Sequence, residues 1–152
     1  PSNSVTNRRI NRLTDVFNTP SPTLTKVSEL NGPQYTEGII MGYLVWLNEE
    51  VLNLSQPMTE IQIEYTAQMI IDKYYYFKFP DIVLIMKMII GGDFGEFYGS
   101  LDPNKILKYF NEYSMQRQQS ARQHKKTQQK IEYENKQVEN YIKQNATKIN
   151  KL

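Results

Sequence analysis

The chain has 152 residues, of which 39% are hydrophobic, a formal net charge of +2 and no cysteine. This length suits one compact domain with an appendage, and the lack of cysteine excludes disulfides and thiolate metal sites. No apolar run approaches the ~20 residues that a membrane-spanning helix needs, and the N-terminal PSNSVTNRRI has no signal-peptide apolar stretch. We therefore expect no membrane contact and a cytoplasmic location.

Charge and apolar residues are distributed unevenly along the chain. Residues 1–116 contain 9 Lys and Arg against 13 Asp and Glu, a net charge of −4, whereas residues 117–152 contain 9 against 3, a net charge of +6. Apolar residues also become sparse beyond Met115. We therefore predict an N-terminal arm with a short helix (residues 1–20), a helical domain (residues 21–116) and a basic helical tail (residues 117–152).

The first two helices are predicted from apolar spacing and from signals that end helices. Apolar residues at helical intervals indicate a helix over residues 4–17, and the prolines of NTPSP end it. Thr23 can then cap a short helix over residues 24–30, which Asn31 and Gly32 terminate because both tolerate left-handed backbone.

The next two helices have equally local signals. A proline at the first turn begins a helix predicted over residues 33–54, with Trp46 in the core and Asn48 away from the apolar face. Thr59 and Gln62 have the spacing of a capping box at the start of the following helix.

The last part of the domain is organised around one apolar helix. Residues 82–90 carry a single internal charge, so their neighbours must cover them on most sides. Glycines end this helix, and Asp102 followed by Pro103 starts the last one. Alternation with period two is not sustained anywhere. The sequence therefore predicts an all-α protein, a compact orthogonal multi-helix domain followed by a long basic C-terminal helix.

The loop between these two helices, GGDFGEFYG, is the candidate site for a protein partner. In one interpretation its rings pack back onto the domain and hold the last helix in place. In the other they stay exposed as a contact surface for protein or for nucleic-acid bases. The loop lacks the lysine and hydroxyl residue of a phosphate-binding P-loop. The candidate partner residues are Phe94, Phe97 and Tyr98.

The tail offers a candidate nucleic-acid site and a candidate oligomerisation seam. A basic stretch without acidic residues suits contact with a phosphate backbone, although a solvated tail would have the same composition. Its members are Arg117, Arg122, Lys125, Lys126 and Lys130. Further on, a 4-3 spacing with asparagines at two positions indicates a short coiled coil, a frayed helix or a disordered segment. Its apolar members are Ile131, Val138, Ile142 and Ile149.

Catalytic and metal-binding constellations are not evident. His124 is the single histidine and lies in the polar tail, so neither a hydrolytic triad nor a zinc site is expected. Asp93 and Glu96 have no calcium-loop spacing. We expect no enzyme activity, no cofactor and no metal.

Residues 58–113 carry the pattern of a known family. The shared positions are Met58-Thr59-Glu60, Gln62-Ile63-Glu64, Thr66-Ala67, Ile70-Ile71, Tyr74-Tyr75-Tyr76, Asp81-Ile82, Gly92, Phe94-Gly95, Phe97-Tyr98-Gly99, Leu101-Asp102, Lys105-Ile106-Leu107 and Tyr113, with a weaker part at Pro22-Thr23-Leu24. In these positions the chain resembles small helical proteins, without assigned function, of Bacteroides-type bacteria and their phages and mobile elements. The resemblance implies a helical fold. A helical unit with a basic extension is also similar in architecture to phage helicase-loader domains.

Two functions are compatible with these features. The first is a non-enzymatic accessory protein of a phage or mobile element that binds protein and, without reading sequence, nucleic acid during DNA replication or nucleoprotein assembly. The second is a structural or assembly protein, for instance a virion component, that oligomerises through its C-terminal helix. The first would act in the cytoplasm of a bacterial host and the second in the virion.

Overall fold

The computed structural model describes residues 9–151, and this part of the chain is built from helices. In chain order they are α1 (Leu13–Asn18), α2 (Leu24–Asn31), α3 (Pro33–Val45), a π-helix (Trp46–Val51), α4 (Glu60–Lys73), α5 (Phe79–Ile90) and α6 (Pro103–Ile149). Extended backbone forms isolated bridges between Thr23 and Lys78 and between Gln56 and Ser100. The prediction of an all-α protein is confirmed.

The chain divides into two compact units, Pro1–Arg117 and Gln118–Leu152, which we call the body and the tail. Helix α6 begins in the body and continues through the tail. The predicted N-terminal arm belongs to the body, because Ile10 and Val16 lie in its hydrophobic core. Residues 4–8 of the helix predicted over 4–17 lie outside the described residues.

Helix α5 lies at the centre of the body, as its composition predicts. Eight of its twelve residues are buried, namely Pro80, Asp81, Ile82, Val83, Leu84, Ile85, Met86 and Ile89. Apolar side chains from every other body helix join them in one core. Burying a side chain of this size contributes about 1.5–3 kcal/mol. The central buried helix therefore supplies much of the stability of the body.

Helix starts follow the predicted capping signals. The Thr59 hydroxyl accepts a hydrogen bond from the Gln62 backbone N–H at 3.3 Å, and the Gln62 side chain accepts one from the Thr59 N–H at 2.9 Å. Thr23 caps α2 by accepting from the Lys26 N–H at 3.2 Å. Asp102 caps α6 by accepting from the Lys105 N–H at 2.9 Å. These local predictions are correct.

The helix predicted over residues 33–54 is interrupted, and the prediction for Asn48 is wrong. The α-helix ends at Val45 and gives way to the π-helix, in which the Leu52 N–H donates to the carbonyl of Leu47, five residues earlier. The wider turn changes which side chains face inward, so Asn48 is buried. Its Nδ2 donates to the Met58 carbonyl at 3.0 Å, and its Oδ1 accepts from the Met58 N–H at 2.7 Å.

Lys78, the N-cap of α5, and Lys87, within α5, hold the N-terminal segment against the rest of the body. Lys78 Nζ donates to the carbonyls of Val16 at 2.8 Å and Thr19 at 3.0 Å, at the end of α1. Lys87 Nζ donates to the carbonyl of Ile10 at 2.6 Å. These ammonium groups supply additional donors to carbonyls at the end of α1 and just before it, where the helix leaves acceptors with spare capacity.

Candidate nucleic-acid and protein-binding surfaces

A buried ionic cluster joins α5 to α6 inside the body. The carboxylate of Asp81 is fully buried. Its Oδ1 accepts hydrogen bonds from Tyr113 Oη at 2.7 Å and from Arg117 Nε at 2.8 Å, and its Oδ2 accepts from the Lys78 N–H at 2.8 Å. Three donors therefore satisfy one buried carboxylate, as burial of a charge requires.

Aromatic rings complete the surroundings of Arg117. The guanidinium lies 5.6 Å from the ring centres of Phe17 and Tyr76 and 5.4 Å from that of Phe77. These distances are in the range of cation–π attraction. Only 17% of the Arg117 side chain is exposed. The structure thus places this predicted nucleic-acid contact within the body, where its Nε is occupied by Asp81.

The environment of Tyr113 predicts a pH-dependent effect. Burial, and next the charge and hydrogen bond of Asp81, raise the pKa of the Tyr113 hydroxyl above the value of about 10 expected in an unfolded chain. Above pH 10 the unfolded chain releases this proton while the folded chain retains it, so this contribution to stability is lost as pH rises. Tyr113→Phe should lower the free energy of unfolding by about 1–3 kcal/mol at pH 8. The difference in unfolding free energy between the natural chain and this variant should then narrow by up to about 1.4 kcal/mol per pH unit above 10.

Urea unfolding of both proteins at pH 8, 10 and 11 measures this difference. Tyr35→Phe, on an exposed side chain, is the matched control and should change stability little at each pH. A difference that is constant across the three values would contradict the proposed linkage to Tyr113.

The other four predicted basic residues lie on the exposed surface of the tail. Arg122, Lys126 and Lys130 follow each other at intervals of four residues, and Lys125 is three residues from Arg122. At 100° per residue these side chains fall within an arc of about 140°. Lys130 is 3.9 Å from Glu134 in an ion pair whose side chains are both largely exposed, and such a pair holds its partners weakly. The tail therefore presents one cationic helical face.

The apolar residues of the predicted seam are also exposed. Ile131, Val138, Ile142 and Ile149 are 44%, 56%, 59% and 68% exposed, respectively. They lie within α6, so the segment has the helical backbone that a coiled coil needs. The apolar row is thus present on a formed helix within a single chain.

The aromatic loop combines the two predicted interpretations. Phe94 stacks on Tyr109 with ring centres 5.2 Å apart, and Phe97 packs against the core. Lys105 Nζ donates to the carbonyls of Phe97 and Ser100, each at 3.1 Å, and so ties the loop to the first turn of α6. These contacts fit the structural role.

Tyr98 differs from the other two rings of this loop. It is 87% exposed and has a backbone φ of 50°, which is uncommon for a residue with a side chain. Positive φ at such a residue costs of order 1–3 kcal/mol and is found preferentially at functional positions. Tyr98 is therefore the one of the three candidate partner residues whose ring lies in solvent.

The described residues show neither a metal-binding cluster nor a membrane-spanning helix. Within residues 9–151 no group of three or more acidic or histidine side chains is arranged to hold a metal ion. Asp93 and Glu96 lie exposed in the loop. Among the helices of the described residues, none has the length and apolarity to cross a bilayer.

Sequence reasoning missed the Asp81 cluster, although signals for it exist. Asp81 is the one acidic residue in the apolar α5, and a carboxylate there needs buried donors. Tyr113 and Arg117 are four residues apart and therefore share a face of α6.

Comparison of the chain with family models, with curated proteins and with solved structures gives no match.

Proposed function

We propose that this protein is a non-enzymatic accessory factor of a phage or mobile element that binds nucleic acid through its tail and a protein through its body. The observation that carries the nucleic-acid part is the exposed cationic face of Arg122, Lys125, Lys126 and Lys130. A helix with one cationic face can follow a phosphate backbone, and it offers nothing that would distinguish base sequences. Replication or a related nucleoprotein assembly is the setting that such binding suits.

The protein-binding part of the proposal is supported by Tyr98. A large, exposed aromatic ring with a polar tip is a frequent anchor of protein interfaces. The lysine contacts of the loop hold its base against α6, so the ring would meet a partner from an ordered backbone. Preorganisation of this kind lowers the entropic cost of binding.

Salt dependence tests the nucleic-acid part. With four phosphates neutralised, the logarithm of the binding constant should fall with the logarithm of salt concentration with a slope of about −3.6, so affinity should drop roughly 100-fold between 50 and 200 mM salt. Fluorescence anisotropy of the full chain with labelled DNA and RNA of mixed sequence measures this slope. Different sequences should bind within about threefold of each other, because no base edge is read.

A charge-matched pair of variants locates the interface. Changing Arg122, Lys125, Lys126 and Lys130 to glutamine should lower affinity at least about 30-fold, because the four phosphate contacts are lost. The control changes Arg12, Lys26, Lys73 and Lys108 of the body to glutamine, all of which are exposed, and gives the same net charge. An equal loss in both variants, or no binding by the natural chain at low salt, would refute the proposed interface.

A second candidate function is favoured by the exposed apolar row of the tail. A structural or assembly protein, for instance a virion component, would use this row to join subunits. In that case the full chain should form an oligomer that persists in high salt and depends on residues 131–152. Light scattering of the full chain and of a chain ending at residue 130 distinguishes this candidate from a monomeric nucleic-acid binder.

A further inference from the structure

The part of α6 beyond Lys130 carries an exposed apolar row on an otherwise polar helix. Residues 131–149 have only four aliphatic side chains on the 4-3 seam, and each is about half exposed or more. Asn135 and Asn145 occupy the remaining two seam positions. An amide at a seam position is stable only opposite a polar group, so the asparagines restrict how a second helix can lie against this one.

We propose that residues 131–149 of two copies of this chain pair as an antiparallel two-stranded coiled coil. In one antiparallel register every layer joins like with like. The layers are Ile131 with Ile149, Asn135 with Asn145, and Val138 with Ile142, each occurring twice by symmetry. Two-fold symmetry of this kind closes the assembly at a dimer.

The asparagines select this register over its neighbours. A shift of one heptad in one direction puts Asn135 opposite Val138, and a shift in the other direction puts Asn145 opposite Ile142. Either shift leaves buried amides without polar partners, which costs free energy in each layer concerned. The proposed register instead places the two amides opposite each other, where each can donate to the other.

Flanking charges select the antiparallel direction over the parallel one. In a parallel pair Glu134 would lie beside Glu139 of the second copy, twice, which is repulsive. In the antiparallel register Glu134 lies beside Lys148 of the second copy, twice, and a single Glu139 pair meets at the centre. Charges beside the seam set the orientation of coiled coils. The balance of contacts is therefore attractive only in the antiparallel pair.

This inference rests on the self-association of the second candidate function and is independent of nucleic-acid binding. The four residues of the proposed nucleic-acid interface all precede the paired segment, so either part can fail while the other remains. A dimer would also bring two cationic faces into one particle. Nucleic-acid affinity would then rise with protein concentration through two-site binding.

Cysteine cross-linking tests the direction of pairing, and the natural chain contains no cysteine that would interfere. Ile131 and Ile149 are separated by about 27 Å along the helix. Under mild oxidation a mixture of full chains carrying Ile131→Cys or Ile149→Cys should give a mixed disulfide dimer, with little homodimer from either variant alone. Efficient cross-linking of Ile131→Cys to itself would establish a parallel pair and overturn the proposal.

Charge reversal gives an independent test by sedimentation. Glu134→Lys should raise the dimer dissociation constant about tenfold, because two attractive pairs become repulsive, and adding Lys148→Glu should restore it. Lys136→Glu, which lies off the seam, is the control and should leave the constant unchanged. Tighter association of Glu134→Lys would indicate a parallel pair. A chain that stays monomeric at high concentration would remove both this inference and the second candidate function.

Discussion

Asp81→Ala should lower the free energy of unfolding by about 3–5 kcal/mol, because it breaks a buried ion pair by removing one partner. Arg117 would keep its charge among three aromatic rings without a carboxylate. The buried Tyr113 hydroxyl and the Lys78 N–H would lose their acceptor as well. For a domain of this size the loss is a large fraction of the total stability. Urea unfolding followed by circular dichroism measures it.

A matched variant separates the loss of this cluster from the loss of any carboxylate. Asp72 lies exposed in the last turn of α4, and Asp72→Ala should change stability by less than about 0.5 kcal/mol. Equal effects of the two substitutions would show that the Asp81 cluster contributes no particular stability. Replacing Asp81, Tyr113 and Arg117 together with apolar residues should destabilise the protein less than Asp81→Ala alone, because no charge is then left buried.

Asn48→Ala should destabilise the protein by about 2–4 kcal/mol. The substitution removes both partners of the Met58 backbone, and each buried group left unsatisfied costs about 1–3 kcal/mol. It also removes one of the contacts that hold the segment between the π-helix and α4, which Ser55 and Gln56 hold as well through hydrogen bonds to Gly99. Thermal or urea unfolding measures the loss. Asn53→Ala, at an exposed position of the same segment, is the control, and an equally small effect of both variants would contradict the role assigned to Asn48.

Local signals account for the part of the fold that could be predicted from sequence. Thr23, Thr59 and Asp102 each bond to a backbone N–H three residues away, so the information for these helix starts lies within one turn. The burial of α5 is likewise evident from its composition. Such features need no knowledge of the rest of the chain.

Contacts between distant residues account for the part that could not be predicted. Asn48 faces inward because the helix widens into a π-helix at this point, and its side chain then meets the Met58 backbone. Arg117 looks like its basic neighbours in a one-dimensional charge run, yet its partner is Asp81, 36 residues earlier. By composition, residues 117–130 form a single basic stretch. The ion pair with Asp81 instead places Arg117 in the body, apart from the basic residues that follow it. Tertiary context overrides local pattern at these positions.

The lysine contacts of the body affect the electrostatic potential that it presents to solvent. Lys78, Lys87 and Lys105 direct their ammonium groups towards backbone carbonyls within the body, whereas many of the carboxylates lie exposed. Among the exposed charged side chains of the described body, acidic residues therefore outnumber basic ones. Because an acidic surface repels a phosphate backbone, the nucleic acid that we propose as a ligand should contact the tail rather than the body.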